Sequence, residues 1–112
     1  MKSKAVVAAL AALAQDSRLA VFRALVQAGS PGLAAGEIGK RTSIAPSSLS
    51  FHLKALSHAG LVSARQDGRF IFYAANFTAM NAVLSFLTEN CCGGEDCGVV
   101  CAPLPEQKKR SS

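Results

Sequence analysis

Apolar residues recur at helical spacing along most of this chain. Alanine and leucine dominate Ser3 to Ala14, a strong helix former whose apolar surface runs nearly all the way round. Such a helix needs covering, and a second subunit is the expected cover. Asp16 offers an N-cap to a second helix, in which Leu19, Phe22, Leu25 and Val26 repeat until Gly29 stops them. Ser30-Pro31-Gly32 reads as a turn. Ala34 to Thr42 predicts a short helix around Ile38, weakened by Gly36 and Gly39. Ser43 to Ala45 turns the chain before Pro46, which suits a first helical position. From Pro46 to Ala59, Leu49, Leu53 and Leu56 make one apolar stripe, closed by Gly60.

Two β-like runs follow, Leu61 to Gln66 and Arg69 to Ala75, joined by Asp67-Gly68, a strong short-range hairpin signal. Phe77, Met80, Val83, Leu84 and Leu87 then predict a helix from about Asn76 to Asn90, with Asn76 as its cap. Helix, turn, helix and hairpin make a winged helix. The expected class is therefore α+β, with about five helices and a two-stranded wing, in a domain covering residues 1–90. Residues 91–112 form a separate cysteine-rich segment, ending in a tail around Pro103, Pro105 and Lys108 to Ser112 that reads as disordered.

A chain of 112 residues has room for one domain that buries roughly 65% of its unfolded surface, which excludes a two-domain enzyme. The longest apolar run, Ala5 to Ala14, is too short and too alanine-rich for a membrane span. The Lys2 and Lys4 start resembles a signal peptide, but no convincing cleavage site follows, so the expectation is a cytoplasmic protein without a membrane partner. The net charge of +5 is unevenly spread. Residues 1–75 carry nine Lys or Arg against three acids, whereas residues 76–105 have no basic residue and three acids. A basic body suits a polyanion such as DNA, although many basic proteins never touch one.

All four cysteines, Cys91, Cys92, Cys97 and Cys101, fall within eleven residues, a spacing that cannot staple a core and reads as a site. Clustered thiolates select soft ions; trivalent arsenic takes three sulfurs in a pyramid, and three thiolates cancel its charge. Zinc prefers four sulfurs, but a tetrathiolate would leave two excess negative charges beside Glu89, Glu95 and Asp96. A redox switch needs a helix N-terminus or neighbouring cations to stabilise a thiolate, and this segment follows a helix C-terminus among acids. A thiol enzyme such as an arsenate reductase would need an anion-cradling loop with basic residues around its nucleophile, which the segment lacks. No catalytic residue is expected.

The stretches Asp16-Ser17-Arg18-Leu19, Ser47-Ser48-Leu49-Ser50-Phe51-His52-Leu53-Lys54-Ala55-Leu56, Ala59-Gly60-Leu61-Val62 and Asp67-Gly68-Arg69-Phe70-Ile71-Phe72-Tyr73 resemble the ArsR/SmtB family of bacterial metal-responsive repressors over residues 10–90. The resemblance implies a homodimer joined through its first and last helices and bound to double-stranded operator DNA. It also implies that Ser47, Ser48, Ser50, Phe51 and Lys54 face the major groove, while Arg65 and Arg69 flank the wing tip and reach the minor groove or phosphates. Without it, the same residues describe a solvated helix face and a soluble hairpin. The family usually has Ser-Gln at Ala45-Pro46 and histidine at Phe51, so this chain has lost polar base readers and gained a ring suited to a thymine methyl. His52, nearer the apolar stripe, is expected to be a packed, hydrogen-bonded core residue.

The family's Cys-Val-Cys arsenic site is missing from Gly32 to Ile38, and its last-helix zinc site has no histidine here. Some arsenic-sensing members carry a vicinal cysteine pair and one later cysteine, and this chain looks like that variant. The expected ligands of As(III) or Sb(III), the inducer, are Cys91, Cys92 and Cys97, with Cys101 the less favoured third ligand. Sensing of another soft metal (zinc, cadmium or lead) or of thiol oxidation remains the alternative. No organic cofactor is expected.

Overall fold

The computed structural model describes residues 2–94. Cys97, Cys101 and the basic end of the chain lie outside the described residues, as does the side chain of Cys92. Among the described residues five α-helices form: α1 (Ser3–Leu13), α2 (Asp16–Ala28), α3 (Ala35–Thr42), α4 (Pro46–His58) and α5 (Phe77–Thr88). Strands β1 (Leu33–Ala34), β2 (Val62–Asp67) and β3 (Phe70–Ala75) make one antiparallel sheet in the order β1-β3-β2. The winged helix is present, and its sheet has a third strand that the hairpin reading lacked. β1 pairs Leu33 with Tyr73 and Ala34 with Phe72, so the wing is hydrogen-bonded to the residues that lead into α3.

The core forms around α2. Val21, Phe22 and Leu25 pack with Ile38 of α3, with Leu49, Leu53 and Leu56 of α4, and with Leu61 and Val62 at the start of the wing. Val6 and Ala9 of α1 and Val83 of α5 close it. These positions follow the predicted helical stripes, because burying a row at three- and four-residue spacing removes most apolar area from water. Val7, Leu10, Leu19, Leu84 and Leu87 stay exposed.

The ends of the elements refine the sequence reading. Gln15, rather than Asp16, is the N-cap of α2: its side-chain oxygen accepts from the Arg18 N–H at 2.9 Å, and Asp16 is the first helical residue. The Arg18 guanidinium donates to the Ala12 carbonyl at 2.6 Å and so holds the corner between α1 and α2, which meet at 103°. Gly29 does end α2, at φ 83°. The helix α4 ends in a Schellman motif: Gly60, at φ 81°, donates to the Ser57 carbonyl and Leu61 to that of Leu56, while the Leu56 and Leu61 side chains are both buried.

Asn76 caps α5 as expected, its side-chain oxygen accepting from the Ala79 N–H at 3.1 Å. Its amide nitrogen also donates to the Gly60 carbonyl at 3.0 Å, and its backbone N–H to that of Leu61 at 2.8 Å. One residue thus ties the start of α5 to the end of α4.

Candidate nucleic-acid interface

Pro46 opens α4 with a preset φ, after Ala45 in extended conformation. The chain enters it from α3 through Ser43, which is left-handed at φ 59° and donates its N–H to the Gly39 carbonyl at 2.8 Å. With Leu49, Leu53 and Leu56 inward, the predicted readers Ser47, Ser48, Ser50, Phe51 and Lys54 are all exposed. Hydroxyls, a cation and one phenyl ring therefore share the outer side of this helix.

His52 is buried, as expected, but its Nδ1 has no hydrogen-bond partner, so the expectation that it is a hydrogen-bonded core residue fails at that atom. The apolar stripe carries it inward and leaves Nδ1 buried. Its ring meets Phe51 edge-on, with centroids 5.9 Å apart and planes at 68°.

The wing tip is displaced by one residue from its predicted place. β2 continues through Asp67, and Gly68-Arg69 is the two-residue loop, with Gly68 at φ 65° and Arg69 outside the positive-φ region. That pattern fits a II′ turn, which asks for glycine at its first central position. Arg69 therefore lies at the extreme tip, exposed. Arg65 lies back along β2 opposite Phe72, its guanidinium 5.1 Å from that ring's centre. The stacked cation is steadied by the ring, and Arg69 is the one that projects from the turn.

Among the described residues one ion pair forms, Arg41 to Glu37 at 3.1 Å, leaving Lys40, Lys54, Arg65 and Arg69 without a carboxylate partner. Lys40 was missed by the sequence reading. With Ser50 and Tyr73 it lines a cleft of about 360 Å³ between α3 and α4. Its signal was available: a lysine in the last turn of the helix that precedes the reader helix. Arg69→Ala should weaken binding to every duplex and reduce the slope of log affinity on log salt by about one per protomer, as for a lost phosphate contact. Ser50→Ala should instead narrow the gap between preferred and random duplexes by about 1 kcal/mol, the low end for a base contact. Unchanged affinities in both variants, titrated at matched salt, would refute this interface.

A second surface lies between α1, α2 and α5. Leu10, Leu13, Leu19, Met80, Leu84 and Leu87 line an apolar groove of about 400 Å³, with Arg23 and Gln27 also on its lining. The groove gathers exposed apolar side chains from three helices at one surface. Beyond α5, Asn90 turns left-handed at φ 57° and Cys91–Gly94 form a single 3₁₀ turn, with the Gly93 N–H donating to the Asn90 carbonyl at 3.1 Å. Cys91 is half-buried there.

An exposed hydroxyl-rich helix behind a tight turn, beside a cation-tipped hairpin, defines a winged-helix DNA-binding protein. Residues 13–64 match the model of a helix-turn-helix domain. The chain is 33% identical over 85 residues to the HTH-type transcriptional regulator YgaV of Escherichia coli, covering 76% of this chain and 84% of that one. It is 41% identical over 58 residues to the uncharacterized HTH-type transcriptional regulator YceK of Bacillus subtilis, covering 52% of this chain and 57% of that relative's length. Among solved structures, the homodimeric winged helix-turn-helix domain Mb0332 of Mycobacterium bovis, a possible ArsR-family regulator, aligns at a TM-score of 0.62 and 25% identity, covering 86% of this chain and 89% of that one. A possible transcriptional regulator for arsenical resistance aligns at 0.59 and 29% identity, covering 70% and 77%. The chain belongs to the helix-turn-helix transcriptional regulators, of the ArsR-like kind.

Proposed function

We propose that the protein is a cytoplasmic homodimeric repressor that occupies a two-fold operator and leaves it when trivalent arsenic or antimony binds Cys91, Cys92 and Cys97. The observation that carries this reading is positional. The cysteine cluster begins three residues after α5, the helix whose apolar groove with α1 and α2 needs a second copy to cover it. A ligand bound to this segment therefore acts beside the surface that would set the spacing of the two reader helices. The likeness to a possible regulator for arsenical resistance supports the same reading.

The adjacent thiolates supply two sulfurs from one short piece of backbone. Gly93 is already left-handed at φ 65°, so the chain reverses there at little conformational cost, and the loop back to Cys97 is short. Cys101 would close a longer loop. By linkage, an inducer that releases DNA must bind the DNA-bound dimer more weakly than the unbound one.

Each cysteine is to be replaced by serine in turn, and operator binding and its release by arsenite followed by fluorescence anisotropy. Cys91→Ser, Cys92→Ser and Cys97→Ser should bind DNA normally and lose release, whereas Cys101→Ser should keep it. Release of the wild type by zinc, cadmium or peroxide but not by arsenite or antimonite would replace the inducer. Release intact in all four variants would end the thiolate reading.

A further inference from the structure

Phe51 exposes 66% of its surface, more than any other exposed large hydrophobic residue among those described. The groove on α1, α2 and α5 does not include it, so a second copy seated there leaves this ring in water. The ring has a defined place, edge-on against the buried His52 at 5.9 Å. Beside it, Lys54, Ala55 and His58 complete a shallow recess of about 350 Å³. Phe51 lies one residue after Ser50 and three before Lys54, on the outer side of the helix opposite the buried leucines.

Resting on the DNA-binding reading above, we propose that Phe51 and Ala55 read the C5-methyl group of a thymine in the major groove. A phenyl ring neither donates nor accepts a conventional hydrogen bond, so it gains nothing from the polar edges of guanine, adenine or cytosine. Pressed against the amino group of adenine or cytosine, it strips that donor of water without replacing the bond. Thymine is the one standard base that presents a methyl group in this groove, and burying it against a ring and a methyl side chain is favourable. Ser47 and Ser50 then bond neighbouring base edges or phosphates, and Lys54 reaches the backbone. The outcome is one required thymine in each half-site, at the position facing Phe51.

A duplex selected by the protein from a random-sequence library is resynthesised with deoxyuridine replacing one thymidine at a time. This exchange deletes the methyl group and keeps every hydrogen-bonding group of the base pair. At one pair per half-site the wild type should lose about fourfold in affinity, and about fifteenfold when both half-sites are changed, the ratios expected for one and two buried CH₂-sized groups. Placing 5-methylcytosine there should bind better than cytosine. Phe51→Ala should still bind with an unchanged salt slope and no longer distinguish thymidine from deoxyuridine. Equal wild-type affinity for the fully substituted duplex, or discrimination undiminished in Phe51→Ala, overturns the methyl reader while salt-dependent DNA binding stands. Selection of no duplex at all by the wild type overturns the DNA-binding reading together with it.

Discussion

Leu87→Glu should yield a folded chain that sediments as a monomer at micromolar concentration and has lost at least a hundredfold in operator affinity. Leu87 is 56% exposed, so the charge disturbs none of the chain's own core. It lines the groove shared with Leu10, Leu19 and Leu84, which the proposed dimer buries. Taking a carboxylate out of water in that apolar groove costs several kcal/mol, which pairing with Arg23 on its lining would only partly repay, enough to dissociate a modest interface. Each protomer has one reader helix, and two half-sites a helical turn apart need two held together. Separating them removes an effective concentration that multiplies affinity roughly 10²- to 10⁴-fold. A Leu87→Glu protein that remains dimeric and binds its operator normally would place the interface elsewhere.

Gly32→Ala should lower stability by about 3 kcal/mol, a fall of about 15 °C in Tm for a domain this small. Gly32 sits at φ 76°, where a side chain is strained, and a Cβ there would run into the Tyr73 carbonyl oxygen and lie 3.0 Å from its carbonyl carbon. Both neighbours are backbone of β3, so neither can swing away. Gly36→Ala is the contrasting case: a Cβ at Gly36 meets nothing within 4 Å, and its φ is not positive. In the first turn of α3 it should add up to about 1 kcal/mol. Thermal unfolding followed by circular dichroism measures both, and a Gly32→Ala melting point within a few degrees of wild type would contradict the close approach of β1 and β3.

Helices α2 and α4 were legible because each hides a row of large apolar residues, and the reader face of α4 was legible as what remained. β1 was not, because two residues, Leu33 and Ala34, carry no alternation and are strand only through their pairing with Tyr73 and Phe72. The wing tip slipped by one residue because Asp67-Gly68 is as good a turn centre as Gly68-Arg69, and register is decided by the ladder from Val62↔Ala75 to Asp67↔Phe70. Gln15 displaced Asp16 as cap because either polar side chain can serve at that boundary, and the backbone turns one residue earlier. Spacing put His52 in the core without showing what would face its ring. The thiolate set rests on composition and on the likeness alone: of its side chains only that of Cys91 falls among those described.

Hydrogen bonds of Asn76 to Gly60, Leu61 and Ala79 make the end of α4 and the start of α5 a single joint. From that fulcrum α5 extends for twelve residues, a lever about 18 Å long whose far end leads into the cysteines. Tilting it by roughly 10° moves that end by about 3 Å and applies the same rotation at the joint, one turn of chain beyond the reader helix. A sideways pull on the chain after Thr88 would therefore act on the end of α4 through this joint, and on the core through Val83, which moves with the lever.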